Sequence, residues 1–244
     1  MKKMRKVVAA LMLMMAVVLA AGCKPENDSN NGGGDNEGNT YNGHEFVDLG
    51  LPSGTLWATC NVGAETPEAY GDNFAWGETT PKEIYDWDTY KYGSDFSWDP
   101  QVGDDVGTLT KYNTNPDWGQ VDNLTTLQPK DDAATANWGD GWCMPTRSQW
   151  VELNENTTTT WAIQNGVAGR FFTATNGKSI FLPAGHELHK RTGGWYWAST
   201  LYFPRPQFAY ILRFDTDGCY CSDDNGTIRC KGLSVRPVRS SAKN

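Results

Sequence analysis

Between Gly193 and Val238 the chain alternates between runs that ask to be buried and runs that resist any regular period. Gly193–Thr200 (GGWYWAST), Ala209–Phe214 and Gly232–Val238 (GLSVRPV) read as three strands. Leu201–Phe208 and Asp215–Cys230, the two segments between them, mix Tyr, Phe, Arg, Pro, Cys, Asp and Asn without periodicity. Strands this close together, separated by irregular segments, constrain the fold to a sheet scaffold that displays loops. The contact candidates are Tyr202, Phe203, Arg205, Gln207, Tyr220, Asp223, Asp224, Asn225 and Arg229. Aromatic rings offer rigid area at low entropic cost and arginine offers directed donors. So many large groups in proline-interrupted loops would otherwise be stranded in water.

The scaffold has material for a core despite sparse helix signals. The chain holds 11 tryptophans, and each buried indole removes about 150–250 Å² from water, roughly 4–6 kcal/mol of gross driving force. One α+β domain over residues 45–239 is expected, with 240–244 a disordered tail. Glu45–Leu49 and Thr55–Thr59 read as strands around a Leu51–Gly54 turn. Thr80–Thr126 reads as one long loop, a length that requires pinning. Trp87, Trp98, Tyr112 and Trp118 are the expected pins; a sugar-stacking aromatic platform is the alternative. Two short helices follow. Pro129–Asn137 has proline and acids in its opening turn, and Thr146–Gln149 is a capping box with Trp150 and Leu153 on one face behind it. Asn176-Gly177 between Arg170–Ala174 and Ser179–Pro183 marks a hairpin, because both residue types tolerate positive φ. His186 and His189 are three apart, not the four that two zinc-binding histidines on one helix face need, and read as a solvated loop.

The N-terminus carries an address. Lys2, Lys3, Arg5 and Lys6 precede an apolar run from Val7 to Ala21, then Gly22-Cys23. This reads as a signal peptide over 1–23, with Cys23 as a lipobox cysteine. Residues 24–44, polar and rich in Gly and Asn, read as a disordered tether. Lipid anchoring at the outer membrane, at the cell surface, is the expected localisation. The full chain has 21 Lys+Arg against 29 Asp+Glu; without the four basic residues of the leader this is 17 − 29 = −12. That charge excludes nucleic acid and anionic lipid surfaces as partners. Five cysteines remain after Cys23, and pairing of Cys219 or Cys221 with Cys230 is the local disulfide that loop closure favours; three thiolates around a metal are the alternative.

The blocks HEFVDLGLPSGTLWATCNVGA, YGDNFAWGET, LTKYN, DDAATANWGDGWCMPTRSQWVEL, NGKSIFLPAG, GGWYWAST and GLSVRPV resemble, in order, the Fib-succ-major paralogous domain of anaerobe surface lipoproteins. The resemblance runs from about His44 to Val238. It implies a C-type-lectin-like fold with two helices, mixed and antiparallel sheets, a long loop region, and adjacent N- and C-terminal strands. It implies a non-catalytic, monomeric binding module for a protein or glycan. It departs at Cys143, where relatives carry arginine. The same scaffold displays loops varied by diversity-generating retroelements, and the two irregular segments are rich in the residues such variation produces. The resemblance also reaches an oxidase branch that makes formylglycine with paired cysteines, which Cys219 and Cys221 would have to supply; a pilus-like structural subunit is the third class. No cofactor is expected. Calcium is the alternative, held by Asp215–Gly218 or Ser222–Asn225, although the calcium-binding tripeptides of sugar-binding lectins are absent.

Overall fold

The computed structural model describes residues 39–101, 103–185, 192–203, 205–221 and 226–241. It is a β-rich fold of several sheets with two short α-helices. The first sheet is formed by β1 (Thr40–Tyr41), β2 (His44–Asp48), β3 (Thr55–Ala58) and β15 (Val238–Ser240), in that order and antiparallel throughout. The N- and C-terminal strands therefore share a sheet with β3 between them. All of β3 (TLWA) is buried, since a neighbour on each edge and packing on both faces leave it no solvent side.

Both ends of the folded body reach further than the sequence reading placed them. The segment expected to be free up to His44 is folded from Asn39. Asn42 Nδ2 donates to Trp138 O at 3.1 Å, Trp142 Nε1 donates to Tyr41 O at 3.1 Å, and the His44 ring stacks on Trp138 at 3.7 Å. Tyr41 and His44 supply flat rings in an otherwise polar stretch. At the other end, Ser240 belongs to β15 and Ser241 N donates to Gly54 O.

The second sheet carries the tail of the chain. β4 (Asn73–Phe74), β10 (Gly193–Leu201), β11 (Phe208–Asp215), β12 (Cys219–Tyr220), β13 (Gly226–Ile228) and β14 (Leu233–Ser234) are arranged β12-β11-β10-β14-β4, with β13 also on β11. β10 and β14 run parallel and the other pairs antiparallel. Successive side chains of a strand point to opposite faces. On β10, Trp197 accordingly enters one core cluster with Trp76, Trp138 and Trp142, whereas Tyr196 and Ala198 enter another with Trp57 and Trp150. That two-sided burial is why GGWYWAST lacks polar alternation. The indole N–H groups of Trp76, Trp150 and Trp197 donate to the carbonyls of Ala198, Trp197 and Phe74, so burying these rings leaves no donor unpaired.

The closing run expected as one strand is split into β14 and β15, which join different sheets. Arg236 stands at the break, fully buried. Nε donates to Asn61 Oδ1 at 2.8 Å, Nη1 to the carbonyls of Ala58 and Thr59, and Nη2 to Phe181 O at 3.0 Å. Burial without a carboxylate pulls its pKa down to about 10.

A third sheet holds β7 (Thr157–Gln164), β8 (Val167–Ala174) and β9 (Ser179–Pro183), with β8 in the middle. The β8–β9 turn forms where Asn176-Gly177 predicts it, with only Gly177 of the pair at positive φ. The fourth is a hairpin, β5 (Gly93–Asp99) and β6 (Asp104–Leu109), inside the stretch read as loop. Phe96 of this arm stacks between Trp87 (3.8 Å) and Trp118 (6.3 Å). A Cβ on Gly107 would lie 2.5 Å from the Phe96 ring, so only glycine lets that ring close on the arm. Trp87, Tyr112 and Trp118 pin the stretch as expected; Trp98 does not, being 64% exposed.

Helix α1 (Ala133–Trp138) starts at Asp132, whose carboxylate accepts from Ala134, Thr135 and Met144 N. Helix α2 (Arg147–Glu155) has the expected capping box: Thr146 Oγ1 accepts from Gln149 N and Gln149 Oε1 from Thr146 N. Trp150 and Leu153 are its buried face. Thr146→Ala removes one half of this pair and should cost about 1 kcal/mol, read as a lower midpoint in thermal denaturation with unchanged cooperativity.

Candidate functional site

Both irregular segments lie against β11, but not as one patch. The first is a pair of tight turns: Arg205 N donates to Tyr202 O, Phe208 N to Arg205 O, and Tyr202 N to Phe208 O, at 2.8–3.1 Å. The second doubles back along β11. Its first strand β12 pairs Tyr220 with Arg213, and β13 continues in the same direction, pairing Gly226–Ile228 with Phe208–Tyr210. That course brings Gly226 under the Tyr202 ring, where a Cβ would be 3.1 Å away. Tyr220 is left at the far end of β11, about 16 Å off at the usual rise per residue.

The predicted contact residues divide accordingly. Phe203 is 69% exposed and Arg205 is exposed, with Tyr202 half-buried beside them. Tyr220 is at the surface, its ring under Arg213 at 5.2 Å. Gln207 and Arg229, expected at the surface, are core residues with 2% and 0% exposure. Gln207 Nε2 donates to Asp104 Oδ2 at 3.4 Å. Arg229 Nε donates to Tyr90 OH at 2.9 Å, Nη1 to the carbonyls of Tyr112 (3.0 Å) and Pro206 (2.9 Å), and Nη2 to Lys111 O at 3.0 Å. The loop carbonyls needed a buried donor array, and the planar fork of arginine supplies one. Asp223, Asp224 and Asn225 lie outside the described residues, as do Cys23, His186 and His189.

The surface around the first turn pair has partners that sequence reasoning missed. Arg205 forms an ion pair with Asp104 at the end of the β5–β6 arm and lies over the Phe208 ring at 4.3 Å. Tyr202 packs on Phe208 (6.2 Å) and Tyr210 (5.0 Å), and Arg147 of α2 covers Tyr210 at 5.0 Å. Three rings, capped by a guanidinium at each end, thus run from α2 to the arm. No local signal marks Asp104 or Arg147 for this role, because they arrive from elements far off in sequence.

The thiols do not pair as expected. Cys143, Cys219, Cys221 and Cys230 are all free. Cys219 and Cys221 pack with the Trp57–Trp150 cluster, while Cys230 belongs to a separate cluster around Trp87 and Tyr90; the β12–β13 excursion along β11 separates them. Burial pushes Cys219 and Cys230 up to about 12 and raises Cys221 as well. Among the described residues no three His, Cys, Asp or Glu side chains are grouped to hold a metal ion. Asp215 Oδ1 accepts the N–H groups of Asp217 and Gly218, and Oδ2 faces Arg213. An open cleft of about 460 Å³ between the Leu49–Pro52 turn and the Thr157–Thr158 and Thr173–Thr175 segments is lined by threonines, Asn156 and Glu155. It contains none of the predicted contact residues. No helix among the described residues is long and apolar enough to cross a membrane.

No family model, curated protein or solved structure matches the chain.

Proposed function

We propose that this chain is a non-catalytic binding module of C-type-lectin-like fold, related to the Fib-succ-major domain, carried at the outer membrane by a lipid on Cys23. It presents the Tyr202–Phe208 turn pair to a protein or glycan outside the cell. The observation that carries this reading is Phe203, 69% exposed on a turn held by its own hydrogen bonds and flanked by Arg205 and Tyr202. A large ring held out on a rigid turn loses little freedom when a partner covers it. The buried thiols count against the formylglycine-forming alternative, since a thiol titrating near 12 is almost entirely protonated at neutral pH and is a poor nucleophile. For the diversified-loop reading, Tyr202, Phe203, Arg205 and Tyr220 stand where variation is tolerated. Gln207 and Arg229 stand where it would unfold the protein.

The test is a glycan and protein array probed with residues 39–244. Phe203→Ala with Arg205→Ala should weaken whatever binding is seen by about 30-fold, the equivalent of ~2 kcal/mol at a hot spot. Tyr220→Ala should leave it unchanged. Equal losses from both variants would move the contact surface off the first turn pair.

A further inference from the structure

We propose that strand β7 is a self-association edge, through which two copies of this chain pair antiparallel into one continuous sheet. Residues Thr157–Gln164 (TTTTWAIQ) form eight consecutive pairs with β8 without a bulge. The backbone alternation can be followed from β9. Ala174 N donates to Lys178 O and Ala168 O accepts from Ala184 N, both on the β9 side, so Gly169, Phe171 and Thr173 bond towards β7. In the observed register these face Ala162, Thr160 and Thr158. The N–H and C=O groups of Thr157, Thr159, Trp161 and Ile163 therefore point away from the sheet, and no backbone partner meets them among the described residues.

Edges of this kind are usually blunted by lysine, proline, a bulge or a covering segment. Among the described residues β7 has none of these. It carries no charge and no proline, and Ile163 is 71% exposed, the most exposed large apolar side chain among the described residues.

A second copy fits this edge better than the other candidates. An antiparallel pair about a two-fold axis at Thr160 gives each outward residue a partner: Thr157 meets Ile163 of the other copy and Thr159 meets Trp161. Each Ile163 then lies against a threonine methyl group. Cross-strand pairs of threonine with β-branched or aromatic residues favour pairing. Without the leader each body carries −12, but that repulsion is screened beyond about 8 Å at physiological salt. The acids nearest the edge sit at its ends, Glu155 before β7 and Glu68 bound to Gln164 and Asn165, so the middle meets no like charge. Residues 24–38 of the same chain contain no β-branched or aromatic residue and would make a poor added strand. Joined in pairs, two turn surfaces would engage a multivalent ligand together.

The register can be tested because Thr160 would face itself. In a non-hydrogen-bonded antiparallel pair the Cα atoms are about 4.5 Å apart, within the range of about 4.4–6.8 Å that a disulfide spans. The full chain carrying Thr160→Cys, treated with a mild oxidant, should run as a covalent homodimer without reductant. Thr158→Cys, which would face Ala162, and the wild-type chain should not. No dimer at Thr160→Cys, equal dimer at Thr158→Cys, or a trapped species of another mass would each overturn the proposal. Independently, Thr160→Lys should halve the sedimentation mass while the far-ultraviolet circular dichroism stays that of the folded chain; a mass already that of one chain in the wild type would also overturn it.

Discussion

Arg229→Met is expected to destabilise the fold by about 3–5 kcal/mol, because it strips several buried acceptors at about 1–3 kcal/mol each. Methionine can occupy much of the space between Trp76 and Tyr90, whose rings flank the guanidinium at 5.1 and 5.3 Å, so loss of volume is not the main effect. The damage is to the acceptors. The carbonyls of Lys111, Tyr112 and Pro206 depend on this one side chain, whereas the Tyr90 hydroxyl it also reaches keeps its bond to Trp76 O; each buried acceptor left unpaired costs about 1–3 kcal/mol. These acceptors come from the segment after the β5–β6 arm and from the first turn pair, so the variant should loosen both along with the end of β13. Arg229→Lys should recover less than half of the loss, because a compact ammonium cannot span acceptors on three segments. Urea titration at neutral pH measures both; a change below about 1 kcal/mol in the methionine variant would mean that water takes over the carbonyls.

Asp131→Asn should cost about 2–3 kcal/mol at neutral pH, in the range for hydrogen bonds to a charged group, and the cost should shrink on acidification. Asp131 accepts from Tyr92 and Tyr112, pairs with Lys111, and has Lys91 at 3.5 Å. It thereby ties both flanks of the arm to the turn before α1. Burial alone would raise its pKa, but Lys111 and the two tyrosine hydroxyls outweigh burial and hold it below the ordinary value of 3.8. A carboxylate lowered in the folded state adds stability that is complete above the unfolded value and is lost as pH falls through the folded one. Its neighbour Asp132 runs the other way. Burial pushes Asp132 up to about 6 despite three backbone donors, so its contribution is greatest in acid and declines between about pH 4 and 6. Wild-type stability against pH mixes the two, and the difference between wild type and Asp131→Asn isolates the first. That difference should be flat from pH 8 to 5 and fall below pH 4; a difference that grows in acid would reverse the assignment.

Where side chains alone carry the pattern, the sequence was a good guide to the fold. The capping box at Thr146, the Asn176-Gly177 turn and the apolar runs of β3, β9, β10 and β11 appear where they were read. What failed depended on partners remote in sequence. β7 begins with four threonines, so no apolar–polar alternation marked it, although β-branched residues suit a strand. The β5–β6 arm is short of apolar residues, and the bulge between Ser94 and Ser97 breaks its period. Arg229 and Gln207 read as surface residues because they are polar and lie in the two irregular segments. The carbonyls that draw Arg229 inward belong to Lys111, Tyr112 and Pro206, a demand visible only once the chain is folded.

The central claim is that a stiff β-rich body holds the Tyr202–Phe208 turn pair out for recognition. Hydrogen–deuterium exchange of the chain, alone and with a ligand found on the array, tests it most directly. Slow exchange at Tyr202, Arg205 and Phe208 without ligand, with further protection on binding confined to these residues and the arm around Asp104, is the predicted result. Coil-like exchange in the free turn pair, or ligand protection centred on β12 or on the threonine-lined cleft instead, would contradict it.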